Sequence, residues 1–125
     1  NVFAWEGAIA IVQPEDDGRV GSHRFISCVP KDSVITSEFL YFHFQSPNGL
    51  KDIQQASPGG AGRNRTLGLR KLEKIMVPVP DYNKQLWFGK LLSKVKNLYG
   101  LQDQLDEELD ELRRSILNRA FDGHI

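Results

Sequence analysis

One repeat dominates the last third of the chain. From Asn83 to Phe121, apolar residues recur at Phe88, Leu91, Val95, Leu98, Leu105, Leu109, Leu112 and Ile116 in alternating steps of three and four, with Gln102 the one polar member of the series. An apolar position every 3.5 residues or so, held over about four heptads, is the seam of a coiled coil rather than the broader face of an ordinary core helix. A single helix over this stretch would be about 55–60 Å long. The 82 residues that precede it would make a body only about 25–30 Å across. The helix is therefore expected to extend beyond its own body, with a seam that needs a partner. The alternative is a long helix folded back along the domain.

The chain of 125 residues has the length of one ordinary domain, and 40% hydrophobic residues suffice for a modest core. Sixteen basic and sixteen acidic residues cancel, so any nucleic-acid partner must be argued from local charge. The single Cys28 cannot form an internal disulfide; its apolar neighbours in Phe25–Pro30 suggest a small packing residue and a reducing, cytoplasmic setting. No apolar run approaches the roughly 20 residues of a membrane span, and no signal peptide opens the chain. The opening NVFAWEGAIAIV carries no initiator Met, which points to a piece of a longer domain.

Hydrophobic patterning predicts an α+β fold: a small mixed α/β body over residues 1–82, then one long coiled-coil helix over 83–125. Gly7–Val12 and Arg24–Val29 read as strands, separated by a Pro14–Gly18 turn. Thr36 or Ser37 caps a helix over Ser37–Gln45, whose aromatic residues predict burial. After a break at Pro47-Asn48-Gly49 comes a short helix, Leu50–Ala56, then a glycine-rich loop over Ser57–Arg65 and a helical turn within Leu67–Leu72. Ile75–Pro80 reads as a short strand kept to a sheet edge by its prolines. Asp81 or Asn83 caps the long helix, Gly100 weakens or kinks its middle, and Gly123 ends it.

No pattern of side chains asks for catalysis. His23, His43 and His124 are far apart and lack metal-ligand spacing, and the glycine loop lacks the Gly-Lys-Ser/Thr of a phosphate-binding loop. The expectation is a non-enzymatic chain with no cofactor and no metal. Local positive charge is the remaining signal. Between Ser57 and Met76 stand Arg63, Arg65, Arg70, Lys71 and Lys74 against the single acid Glu73. Arginine can pair with guanine and asparagine with adenine in the major groove, and both also bind phosphate, so Arg63, Asn64 and Arg65 are candidate base readers. Arg70, Lys71 and Lys74 are candidate phosphate contacts, and Ser22, His23 and Arg24, with Arg19 nearby, form a second polar and basic group. The competing reading is a loop whose charge only aids solubility.

Charge on the long helix comes in blocks. Lys84, Lys90, Lys94 and Lys96 precede Asp103, Asp106, Glu107, Glu108, Asp110 and Glu111, and Arg113, Arg114 and Arg119 close the series. A parallel, in-register pair would set like blocks face to face; an antiparallel pair crossing near Gly100 sets lysines against acids, with Lys90 near Asp110. The seam of Leu91, Val95, Leu98, Leu105, Leu109, Leu112 and Ile116 supplies affinity, and the charges choose orientation. The expected partner is a second copy or a like helix of a longer chain.

Taken in order, these features resemble a known family. Gly7-Ala8-Ile9, a turn, Ser22-His23-Arg24-Phe25, Phe39-Leu40-Tyr41, a glycine loop, Ile75-Met76-Val77-Pro78-Val79-Pro80 and Gln85 at a helix start are similar to the specificity subunit of type I restriction–modification enzymes. The ending, Leu117 followed by Ala120, Phe121 and Gly123, is similar to that family's helix end; Lys84 departs from its usual Glu. The resemblance covers nearly the whole chain. It implies the C-terminal part of a target recognition domain followed by a spacer helix, in a subunit with no catalysis of its own. Such a subunit binds double-stranded DNA, reads one half of a split target and docks methyltransferase (modification) subunits, which restriction subunits join. A chain with one domain and one helix would be a half-subunit, and two antiparallel copies would restore the pair. An interaction module that uses its coiled coil without reading DNA is the second reading. A nuclease fragment is a third, and no motif asks for it.

Overall fold

Capping residues set the start of the first two helices. The structure, a computed structural model, describes residues 3–59 and 65–123. Helix α1 runs Ser37–Gln45, as predicted, because the Thr36 hydroxyl accepts the Phe39 N–H at 3.2 Å. Its aromatic residues are not buried uniformly: Phe44 enters the core, whereas Phe42 is half exposed. Ser46 then caps α2, Pro47–Gln55, by accepting the Gly49 N–H, and Pro47 takes the first-turn position that lacks an intrahelical donor. The triplet Pro47-Asn48-Gly49 ends α1, as its composition implies, but it also forms the first turn of α2. Gly49 is required there because any Cβ would run into the His43 carbonyl. Short α3, Leu69–Leu72, follows, then α4, Tyr82–Phe121, continuous through Gly100. Gly123 after it has φ +72°, the left-handed conformation of a helix stop. Two single 3-10 turns, Ala4–Glu6 and Pro14–Asp16, precede the helices.

The expected α+β class is overturned. Among the described residues there is no strand and no sheet, and the fold is all-helical. Gly7–Val12, Arg24–Val29 and Ile75–Pro80, the three predicted strands, form no backbone ladder. The first does alternate: Ile9 and Ile11 are partly buried, while Ala8, Ala10 and Val12 are exposed. Apolar alternation reports which side chains meet a core, and here the core they meet is helical: Ile9, Ile26, Ile75 and Val77 pack against Ala4, Phe44, Ile53, Ala56 and Leu67. Their local hydrogen bonds are turn-like, as in Ala8 N–H to the Phe3 carbonyl and Ile75 N–H to the Leu72 carbonyl. Cys28, expected to pack inside, is exposed.

By its contacts the chain forms two units, Asn1–Trp87 and Phe88–Ile125. The first turns of α4 belong to the first unit because of Gln85, which is 1% exposed. Its Oε1 accepts the Thr36 N–H at 2.8 Å, and its Nε2 donates to the carbonyls of Val34 and Pro80, both at 2.9 Å. One amide thus satisfies three backbone groups of segments that have no regular structure of their own. Gln85→Ala would strand those groups, and a loss of about 2–3 kcal/mol in urea unfolding is expected. Gln85→Glu replaces the two donated hydrogen bonds with a carboxylate facing carbonyls and should cost at least as much. Unchanged stability in both variants would contradict this role.

Candidate nucleic-acid interface

The base of the glycine-rich loop is closed by hydrogen bonds. Ser57 is buried and its Oγ donates to the Ile53 carbonyl at 2.7 Å. Across the loop, Arg65 donates from Nε to the Ser57 carbonyl at 3.2 Å and from Nη2 to the Gln54 carbonyl at 2.7 Å. These carbonyls lie at the C-terminal end of α2, where the helix dipole favours a cation, and the Gln54 carbonyl also accepts the Ser57 N–H at 3.1 Å. The same guanidinium lies 5.0 Å from the centroid of the Trp5 ring. Arg65, a candidate base reader in the sequence, is thus partly buried and ties α2 to the loop and to the N-terminal turn. Arg63 and Asn64, the other two candidates, lie outside the described residues.

Arg70 and Lys71 on α3, and Lys74 just after it, are exposed. None has a carboxylate partner among the described residues, where the recorded ion pair is Arg19 to Asp16 at 3.3 Å. Lys71 and Lys74 come together on an open groove of about 490 Å³, lined also by Asp52, Gln55, Ala56, Ile75 and Met76. Two ammonium groups in a partly apolar lining attract an anionic ligand, and the Asp52 carboxylate in the same lining opposes it. Ser22, His23 and Arg24 form their own exposed turn, in which the Ser22 Oγ accepts the Arg24 N–H at 3.3 Å and the Ser22 carbonyl accepts the Phe25 N–H at 3.0 Å. The Ser22 hydroxyl therefore already serves as a turn acceptor.

Sequence reasoning did not find Trp5, Asp52 or Gln55, and gave Gln85 only its place at a helix start. Each acquires its place through a neighbour distant in sequence. Among the histidines, His23 is exposed, and His43 stands edge-on to Phe44 with ring centroids 5.4 Å apart. His43 Nε2 is buried and has no hydrogen-bond partner, and His124 lies outside the described residues. No cluster of His, Cys, Asp and Glu among the described residues could hold a metal ion.

On α4 the seam residues Leu91, Val95, Leu98, Leu105, Leu109, Leu112 and Ile116 are between 41% and 65% exposed, large values for a row of aliphatic side chains on one helix. Among the described residues no helix is long and apolar enough to cross a membrane. No protein-family model matches the chain, and no solved structure matches it.

The contacts of Arg65 separate its role from that of the lysines. Arg65→Ala is expected to lower unfolding stability by about 1–3 kcal/mol through the lost charge-assisted hydrogen bonds. Lys74→Ala, at an exposed and unpaired site, should stay within about 0.5 kcal/mol of the parent. Equal stability of both variants in a denaturant titration would contradict the distinction.

Proposed function

We propose that the chain is a DNA sequence-specificity module without catalysis of its own, of the kind found in type I restriction–modification complexes. The observation that carries this reading is the trio Arg70, Lys71 and Lys74, three exposed cations within five residues and without carboxylate partners among the described residues. They follow a glycine-rich loop whose base Arg65 fixes. In this reading Lys71, Lys74 and Arg70 hold backbone phosphates of duplex DNA, while Arg63 and Asn64 reach base edges. Ser22, His23 and Arg24 provide a second contact group. The body reads one half of a split target, and α4 serves as a spacer that pairs with an antiparallel helix. Methyltransferase subunits dock on the assembly, restriction subunits join through them, and the complex works in the cytoplasm. The family reading draws on the order of sequence features and on charge; the helical body gives it no support from fold.

The exposed row of leucines on α4 favours a second reading, in which the coiled coil docks a protein partner and the body does not read DNA. Salt dependence separates the two. Binding of short duplexes, followed by fluorescence anisotropy over a salt series, should weaken steeply with ionic strength. Lys71→Ala and Lys74→Ala should each weaken all sequences alike and reduce the salt slope by about 1. Arg63→Ala should cost about 1–3 kcal/mol on the preferred sequence and relax preference at one position. Weak, salt-insensitive binding that these changes leave untouched would favour the interaction module.

A further inference from the structure

We propose that Asp52 is a specificity-determining residue of the Lys71–Lys74 groove, where its carboxylate accepts a hydrogen bond from the exocyclic amino group of a cytosine in duplex DNA. This deepens the reading above and rests on its DNA part. Two stretches of chain build the groove. Helix α2 contributes Asp52 and Gln55, one turn apart; α3 and the residues after it contribute Lys71, Lys74, Ile75 and Met76. The carboxylate is the feature that needs a reason. Asp52 is half-buried and lines the same groove as two ammonium groups, yet no ion pair joins it to either lysine among the described residues. Its backbone carbonyl is engaged, accepting the Ala56 N–H at 2.9 Å. Among the described residues no hydrogen bond engages its carboxylate or the Gln55 amide.

The groove thus offers cationic donors and an anionic acceptor that do not neutralise each other. Phosphate alone uses only half of this, because a carboxylate in the lining weakens the hold of the lysines on any anion. A nucleotide unit uses both halves. Its phosphate suits Lys71 and Lys74, and an amino group on its base suits an acceptor without protons of its own. In the major groove a carboxylate takes the N4 amino group of cytosine, whereas guanine presents two acceptors and thymine one acceptor and a methyl group. Asp52 therefore repels guanine and thymine edges as well as attracting cytosine, and rejection of the wrong partner is half of specificity. Gln55, on the same face of α2, supplies the amide that pairs with a neighbouring adenine. The charge that opposes phosphate binding in general becomes favourable at one base pair.

The test uses the full chain, Asp52→Ala and Asp52→Asn, with thermal melting to confirm that all three fold. Duplexes retained from a random pool are sequenced for each, and the affinity for the preferred duplex and for an unrelated one is read by fluorescence anisotropy at fixed salt. Asp52→Ala should bind the preferred duplex about 5- to 100-fold more weakly. It should bind the unrelated duplex as tightly as the parent or more tightly, because a like charge has gone. Its selected sequences should lose one cytosine that the parent fixes, and Asp52→Asn should admit adenine at that position. A change uniform across all duplexes in both variants, in either direction, would make Asp52 a bystander charge and overturn the proposal. If the parent selects a sequence and the variants select the same one, this inference alone fails. If the parent shows no salt-sensitive binding of any duplex, the DNA reading fails and this inference falls with it.

Discussion

The first unit depends on glutamine amides that take the place of a sheet. Among the described residues five apolar side chains form its buried core, with partly buried residues such as Ile9, Leu40 and Val77 packed against them, a small apolar cluster for long irregular segments. Gln85 pins the segments around Val34, Thr36 and Pro80 to the start of α4. Gln45 donates to the Gly7 carbonyl at 2.9 Å and Gln54 to the Trp5 carbonyl at 3.2 Å, so α1 and α2 hold the N-terminal segment in the same way. Backbone groups near a core must find partners, and a chain without ladders finds them in side-chain amides. Arg65 extends the pattern to the end of α2 with a charged donor.

What could be read from the sequence was whatever local chemistry decides. The bounds of α1 follow from Thr36 and a helix-breaking Pro47, and the long helix from its sustained seam, beginning one residue before the expected Asn83. The three strands failed because an apolar, β-branched run reports burial and not a hydrogen-bonded neighbour. Ile9, Ile26, Ile75 and Val77 needed only an apolar surface, and α1, α2 and their neighbours supply it. Cys28 failed for a related reason: an apolar run such as Phe25–Val29 says nothing about which of its residues turn outward, and Phe25, Cys28 and Val29 do.

The candidate site was legible in charge and illegible in contacts. An excess of basic residues between Ser57 and Met76 is visible in the letters, and Lys71 and Lys74 do share a groove. Nothing local distinguishes Arg65, which is spent on two carbonyls and an indole face, from Arg70, which is exposed. The difference comes from Trp5 and Gln54, sixty and eleven residues away. A basic residue beside a helix C-terminus is often a cap before it is a ligand contact.

Together these features describe a small helical body with two exposed lysines on an open groove and a helix whose apolar seam is exposed. A half-reader of DNA that becomes a whole reader by pairing would have these parts, and its target would be two inverted copies of one short sequence held at a fixed spacing. The most direct measurement is sequencing of the duplexes that the full chain retains from a random pool at near-physiological salt. The account predicts enrichment of a split, inverted sequence with a constant gap. A retained pool with no preferred sequence, or no retention at all, would contradict it.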